Sequence, residues 1–451
     1  MEGMPMGGLL TSWFHFDSLA VLMISVVGFL GVCVLGFASR YMAGDRLRTK
    51  SLLTLGAMLL SVMAMVSADN IWILLASWMF ANLFLVRVMI HNSKWQAAKA
   101  AGQLAAVTLG FGALCLAVAF LLMSQHTGLV SIQALNASDA SGSQMTMALG
   151  VLLLGALTQS AIFPFHTWLL SSLNSPTPVS AIMHAGLVNG GGILLARFAP
   201  LYLEVSSLLF VIFALGFLTA VLGTLWKLMQ HDVKRMLACS TMGQMGFMMV
   251  QCGLGLFPAA IAHLIWHGVF KAYLFLASGG TAQEKRFDLE YPPRLRTVVL
   301  AVVCGVVGSF VFAVASGKVW LAPDTTSVLV LVAGIAAAQV ALTVLRKRPF
   351  MMLPVGLGVT SALAAMYGLS VQAVAMWLAP MNLMQPQPLH TLHIVAMAIL
   401  LLAWLAMVLR RAPATGGRSQ VWRRHAYVRA LNASQPDPKT VTSYRPHYPR
   451  S

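Results

Sequence analysis

The chain has 451 residues, 59% of them hydrophobic and only 9% charged, against roughly 25% charged in soluble domains. That excludes a soluble enzyme and reads as a polytopic, all-α membrane protein. The formal net charge of +17 would suit a nucleic-acid binder, but the lysines and arginines lie between apolar runs and on a terminal tail, where the basic bias of cytoplasmic loops accounts for most of them.

Apolar runs long enough to cross a bilayer, about 17–25 residues each, fall near 17–38, 52–68, 71–90, 100–123, 146–170, 177–197, 207–229, 233–252, 258–278, 297–317, 327–345, 350–378 and 391–409. They predict a bundle of about thirteen helices. No basic start and small-residue cleavage site precede the first run, so it is expected to be retained as a span. Cys33, Cys115, Cys239, Cys252 and Cys304 sit in apolar runs without C-x-x-C spacing and read as small core residues.

Every second loop is basic. Arg40, Arg46, Arg48 and Lys50 follow the first run, Lys94 and Lys99 the third, and Lys227, Lys234 and Arg235 bracket the loop after the seventh. Lys285, Arg286, Arg294 and Arg296 follow the ninth, Arg346, Lys347 and Arg348 the eleventh, and Arg410 and Arg411 the last. The intervening loops hold only Arg197 and Lys318, so the start of the chain is expected outside and the tail in the cytoplasm. The polar connection 124–144 is expected to carry no chemistry. The tail, rich in arginine and proline with no apolar period, is expected to be extended or disordered alone and to grip anionic lipid or a cytoplasmic partner.

The expected organisation is a helix and loop over 1–51, five-helix repeats over 52–197 and 198–348, further spans over 349–410 and the basic tail over 411–451. Five spans per repeat, an odd number, invert the second copy in the membrane. In each repeat the fourth helix is irregular: Pro164 breaks one, and the other ends in Ala315-Ser316-Gly317-Lys318.

The chemistry concentrates in two stretches. Residues 158–197 carry Gln159, Pro164, His166, Pro176, Pro178, His184 and the run Gly190-Gly191-Gly192. Proline frees backbone carbonyls, which in lipid is tolerated only inside protein or beside trapped water, so this broken segment is placed within the bundle. Gln159 can donate and accept, and is read as a residue that orders water. His184 either continues a polar axis or bonds a freed carbonyl, while His166 is read as structural.

In the second stretch, AIAHLIWHGVFKAYLFLASG, His263, His267 and Lys271 stand at i, i+4 and i+8, along one side of a helix. Each is costly in lipid, so the stripe is read as a proton or ion relay facing the interior. The histidine pair has the spacing of zinc ligands, but no acidic residue or cysteine joins it, and no metal is assigned to this chain. Asp232 reads as an N-terminal helix charge beside Lys234 and Arg235, and Lys227 as a snorkelling residue. Asp69, Arg87 and His91 fall near span ends, and His390 and His393 are expected at an interface. No Walker loop, no G-x-G-x-x-G after a strand and no Ser/His/Asp grouping occurs, so an ion-translocating subunit is expected rather than an enzyme.

The runs FHFDSLAVLMISVV, SADNIWILLASW, QSAIFPFHTWL, SPTPVSAIMHAG, HDVKRMLACSTMGQMGF and HLIWHGVFKAYLFLASG, in this order over about 14–348, resemble the proton-conducting, antiporter-like subunits of respiratory complex I (NuoL type) and of Mrp sodium/proton antiporters. The first two helices of longer members and their lateral helix have no counterpart in the resemblance. It implies that the PTPVSAxxHA histidine is His184, the HxxxHxxxK set is His263, His267 and Lys271, and the DxKR loop is Asp232, Lys234 and Arg235. The family's GWE glutamate falls on Met79 and its KSAQxP lysine on Gln159, so the buried ion pair of these two is replaced as a unit; losing only one half would strand a charge at about 3–5 kcal/mol. The lysine of the second broken helix falls on Lys318. With the pair missing, the chain looks like the membrane subunit of the DAB inorganic-carbon complexes of the bacterial inner (plasma) membrane. That implies no cofactor in this chain, a DabA-like peripheral partner with a carbonic-anhydrase-like zinc site, and proton flow that drives hydration of carbon dioxide to bicarbonate there. The competing expectations are a pump or antiporter subunit of a complex I, hydrogenase or Mrp assembly, and a scaffold that has lost conduction.

Overall fold

The computed structural model describes residues 13–279, 293–346, 348–409 and 418–441. Lys285, Arg286, Lys347, Arg410 and Arg411, on which part of the loop-charge pattern rests, lie outside them. Among the described residues the chain is helical, with no strand beyond isolated bridges. The main helices are α1 (Ser18–Tyr41), α2 (Arg48–Ser67), α3 (Ile71–Met89), α4 (Gln96–Thr127), α5 (Ser143–Gln159), α6 (Thr177–Ala185), α7 (Gly190–Arg197) and α8 (Ser206–Met229). They continue as α9 (Val233–Gly253), α10 (Phe257–Leu276), α11 (Leu295–Ala315), α12 (Thr326–Val344), α13 (Leu353–Trp377), α14 (Thr391–Leu409) and α15 (Arg418–Ala433).

Eleven segments among the described residues are long and apolar enough to cross a membrane, not thirteen. Two expected spans fall short. Helix α5 has 17 residues, and α9 carries Lys234, Arg235, Ser240, Thr241, Gln244 and Gln251 in its 21. The polarity of α9 is explained by what surrounds it: α9 is buried along most of its length, so its faces meet protein and need not be apolar.

The expected helix over 146–170 is interrupted. α5 stops at Gln159, a turn through Pro164 follows, and a short helix Thr167–Leu170 and a 3-10 turn Ser172–Asn174 lead to α6. The expected helix over 177–197 is also two helices, α6 and α7, joined by the 3-10 turn Leu187–Asn189. All residues of α6 and α7 are buried, as a break in lipid requires. The carbonyls at the second break are taken up by side chains. His267 Nε2 donates to His184 O at 3.2 Å, Asn189 Nδ2 to Ala185 O at 2.7 Å, Gln159 Nε2 to Leu187 O at 3.2 Å and Ser160 Oγ to Val188 O at 2.7 Å. Gly191 is required here, because a Cβ on it would run into Ala156 O and Ser160 Oγ. Small residues serve α8 and α9 in the same way: Gly223 and Gly246 lie against the partner helix's backbone, the close approach typical of membrane helix pairs.

The chain divides into two compact units, one within 1–253, 263–282 and 425–451, the other within 254–262 and 283–424. In the first, Arg197 is no loop charge. It is buried, pairs with Asp17, donates to Val66 O, and accepts from Asn136 Nδ2 through its own carbonyl. Asp17 also caps α1 through Ala20 N at 2.8 Å. Asp69 is likewise buried and holds the short helix Ile132–Asn136, accepting from Ser131 Oγ at 2.6 Å and Gln133 N at 3.0 Å. In the second unit, α11, α12 and α14 close on Val298, Cys304, Ala338, Ala341 and Trp404. His393 is buried rather than interfacial, whereas His390 is exposed.

The tail departs most from expectation. Residues 418–433 form α15, and the stretch after it docks on the first unit. Gln230 Nε2 donates to Ser434 Oγ (2.8 Å), Arg235 to Gln435 Oε1 (3.0 Å), Asp437 N to Ser171 Oγ (3.1 Å) and Asn174 Nδ2 to Thr440 O (2.6 Å). Hydrogen bonds of this kind leave no apolar period in the sequence, and Pro438 simply opens the 3-10 turn Pro438–Thr440 that Asp437 caps.

Candidate functional site

The site is built where α10 and α9 meet the broken pair α6 and α7. Helical spacing sets His263, His267 and Lys271 along one side of α10, and all three are buried. The rings of His263 and His267 stack with centroids 6.1 Å apart. His263 packs edge-on against Phe247, is hydrogen-bonded to the Gln244 backbone, and its Nε2 has no partner among the described residues. His267 donates through Nε2 to the His184 carbonyl, which fixes the proton on that nitrogen in the neutral ring.

His184 lies on α6 with its ring stacked on Phe275, 4.4 Å between centroids. Its Nδ1 is 3.2 Å from Thr241 Oγ1, and that hydroxyl donates to Leu237 O at 3.0 Å. The threonine proton is therefore committed, so His184 Nδ1 is the donor and its Nε2 is left to take up a proton. Leu237 O also accepts from Lys271 Nζ at 3.0 Å. One carbonyl of α9 thus holds both ends of the set. A backbone carbonyl cannot pass a proton on, so it positions Lys271 and His184 while transfer between them needs water or a ring movement. No carboxylate pairs with His184, His263, His267 or Lys271 among the described residues.

Gln159 does not stand alone as a water-ordering residue. Its amide exchanges two hydrogen bonds with Asn82, each 3.0 Å, and a third goes to Leu187 O. Met79, onto which the resemblance placed the glutamate, is 53% exposed and points away. Asn82, three residues on, takes the inward position. A cavity of about 20 Å³, room for a single water, lies against Asn82, Gln159 and Asn189.

The remaining expected residues hold other places. Lys234 Nζ donates to Ser175 O at 3.1 Å, just before α6, and Asp232 caps α9 through Arg235 N at 2.9 Å. Lys227 is exposed near the end of α8. Lys318 is in the second unit, after α11, with Nζ 3.4 Å from Ser316 O. His166 packs between Phe163 and Trp226. Asn82, Thr241 and Leu237 were not singled out by the sequence. Asn82 was signalled only as a lone amide in an apolar span, Thr241 was one small residue among several, and the Leu237 carbonyl leaves no sequence trace.

Comparison with known proteins matches residues 67–315 to the family described as NADH:quinone oxidoreductase/Mrp antiporter, transmembrane, and residues 4–50 to the N-terminus of NADH-ubiquinone oxidoreductase (complex I) chain 5. The chain is 36% identical over 286 residues to the probable inorganic carbon transporter subunit DabB1 of Halothiobacillus neapolitanus, covering 61% of this chain and 51% of that protein. It is 37% identical over 318 residues to the probable inorganic carbon transporter subunit DabB of Bacillus subtilis, covering 67% and 60%. The chain thus spans half to three-fifths of the length of these relatives. Among solved structures, the Mrp complex from Dietzia sp. DQ12-45-1b aligns with a TM-score of 0.56 at 22% identity, covering 96% of this chain and 46% of that one, a likeness of fold alone. With more than half of its residues matched, the chain belongs to the NADH:quinone oxidoreductase/Mrp antiporter family of membrane subunits.

Proposed function

We propose that this chain is the proton-conducting membrane subunit of an inorganic-carbon accumulation complex, and not itself an enzyme. In this reading it lies in the bacterial inner membrane with its start outside and its tail in the cytoplasm. Proton flow through it is coupled to hydration of carbon dioxide to bicarbonate on a peripheral partner that carries the zinc. The observation that carries the reading is the His263, His267 and Lys271 stripe closed onto His184 through backbone carbonyls. Histidine changes charge near neutral pH, and a buried lysine is readily made to release its proton, so these groups can pass a proton and return to neutrality. Carbon enters through the relatives, among them the Halothiobacillus neapolitanus and Bacillus subtilis proteins named as probable inorganic carbon transporter subunits. Zinc-bound water can ionise near neutrality, which is the chemistry the partner would supply.

A complex I or Mrp-type subunit is the second reading, favoured by the match of residues 4–50 to complex I chain 5. Neutral residues at Met79 and Gln159, where the resemblance places the glutamate and lysine of a buried ion pair, weigh against it. The test is carbon uptake by cells treated with a protonophore while ATP is maintained by another route, with a sodium ionophore as control. One proton crossing 100 mV supplies about 2.3 kcal/mol, so uptake should collapse with the protonophore. Uptake that survives it and fails with the sodium ionophore would assign sodium as the coupling ion.

A further inference from the structure

The outer face of α3 and α4 carries a groove of about 490 Å³, walled by Met79, Phe80 and Leu83 on one helix and Ala106 and Gly110 on the other, with Asn82 at its floor. The two helices run antiparallel, since Gly102 abuts Ile90 and lies beside the Val86 carbonyl. Arg87 is seven residues beyond Phe80 and Lys99 seven before Ala106, so each continues the groove-lining stripe of its own helix. Both are exposed, and both fall within about a turn of the Val86–Gly102 crossing, at the same end of the groove. An apolar groove with a cation beyond it on each of its two helices, both at the same end, has the chemistry of a site for a single amphiphile. Bulk acyl chains need no such charges, and basic pockets between membrane helices select acidic headgroups.

We propose that this groove binds one anionic phospholipid, with an acyl chain between α3 and α4 and its phosphate on Arg87 and Lys99. The bound chain covers the membrane side of Asn82 and so shields the Asn82–Gln159 amide pair from the bilayer. The site stands on the groove and its two cations and does not depend on the proposed function.

The purified full chain, with whatever partners co-purify, is delipidated, supplied with phosphatidylglycerol and phosphatidylcholine in equal amounts, and read by native mass spectrometry for lipid retained per chain. The wild type should keep one phosphatidylglycerol in preference to phosphatidylcholine. Each basic residue near a membrane surface contributes roughly a five-fold preference, so Arg87→Gln with Lys99→Gln should lower the selectivity roughly 25-fold. Those side chains are exposed, so folding is not at stake in that variant. Gly110→Phe fills the groove from a position where a Cβ meets nothing within 4 Å, and should lose the retained lipid at unchanged thermal stability. Equal retention of the two lipids by the wild type, undiminished selectivity in the double variant, or a co-purifying polypeptide cross-linked into the groove in place of lipid would each overturn the assignment.

Discussion

The two polar regions of the first unit are built on the same broken segment and differ in one respect. Around α10, His263, His267, His184 and Lys271 are ionisable and held mainly by backbone carbonyls and a hydroxyl, with no carboxylate among the described residues to fix a charge. Around α3, Asn82 and Gln159 satisfy each other with two reciprocal amide hydrogen bonds and cannot titrate. Acceptors that are neutral and fixed let a group gain and lose a proton without stranding a partner ion, whereas a closed amide pair only orders its surroundings. Of these two regions, the groups able to change protonation therefore lie on the α10 side, and the Asn82–Gln159 side holds neutral amides.

The sharpest way to break this contrast is to charge the amide side. Gln159→Lys alone should cost about 3–5 kcal/mol through an unpaired buried charge, seen as loss of folded protein in thermal unfolding of the solubilised chain. Adding Asn82→Glu should recover a large part of it. A stable single variant would mean that the pair is open to water and that the neutral side is not closed.

A more local effect is expected from the tail. A chain ending at Ala433 loses four hydrogen bonds to Ser171, Asn174, Gln230 and Arg235, each worth about 1 kcal/mol net. These bonds clasp the loop that holds Lys234 through Ser175 O, so the loss should fall on the relay side. Hydrogen exchange should rise at residues 171–176 and at the start of α9, while α3 stays protected. Uniform exchange throughout the unit would show that the two sides are not separable.

The smallest effect concerns the end of α3. His91 there bonds Asp45 at 2.6 Å and Ser51 at 3.0 Å. The Leu47 backbone N–H, and then His91, hold the Asp45 carboxyl below its ordinary value. A depressed carboxyl contributes stability above its unfolded value that is lost as pH falls through the folded one. Exchange near α3 should therefore rise slightly more below about pH 4 in the wild type than in Asp45→Asn, while α10 responds alike in both. An identical acid response in the two proteins would remove this contribution.

The helical class, the break at Pro164 and the His263–Lys271 stripe were legible because each follows from local rules: apolar run length, proline placement, and a period near four. The second break, at 187–189, was not, since 177–197 reads as one apolar run. What was not legible depends on helix rotation and on the backbone. Met79 and Asn82 are three residues apart, and nothing in SWMFAN tells which one turns inward. Thr241 joins the site only because its turn of α9 faces His184, 57 residues away in sequence. Arg197 looked like a loop charge because its partner, Asp17, is far away in sequence. The tail looked disordered because it docks through hydrogen bonds rather than an apolar face.

The central claim is that protons pass along the His184, His263, His267 and Lys271 side and that the amide side stays neutral. It is tested most directly by proton flux into vesicles holding the purified chain with its partner, under an imposed gradient and read with an entrapped pH dye. Flux should be present in the wild type, fall to background in Lys271→Ala and His263→Ala at normal assembly, and persist in the double variant Asn82→Gln with Gln159→Asn, which keeps the amides. Unchanged flux in both relay variants, or flux lost only when the amides are exchanged, would contradict the account.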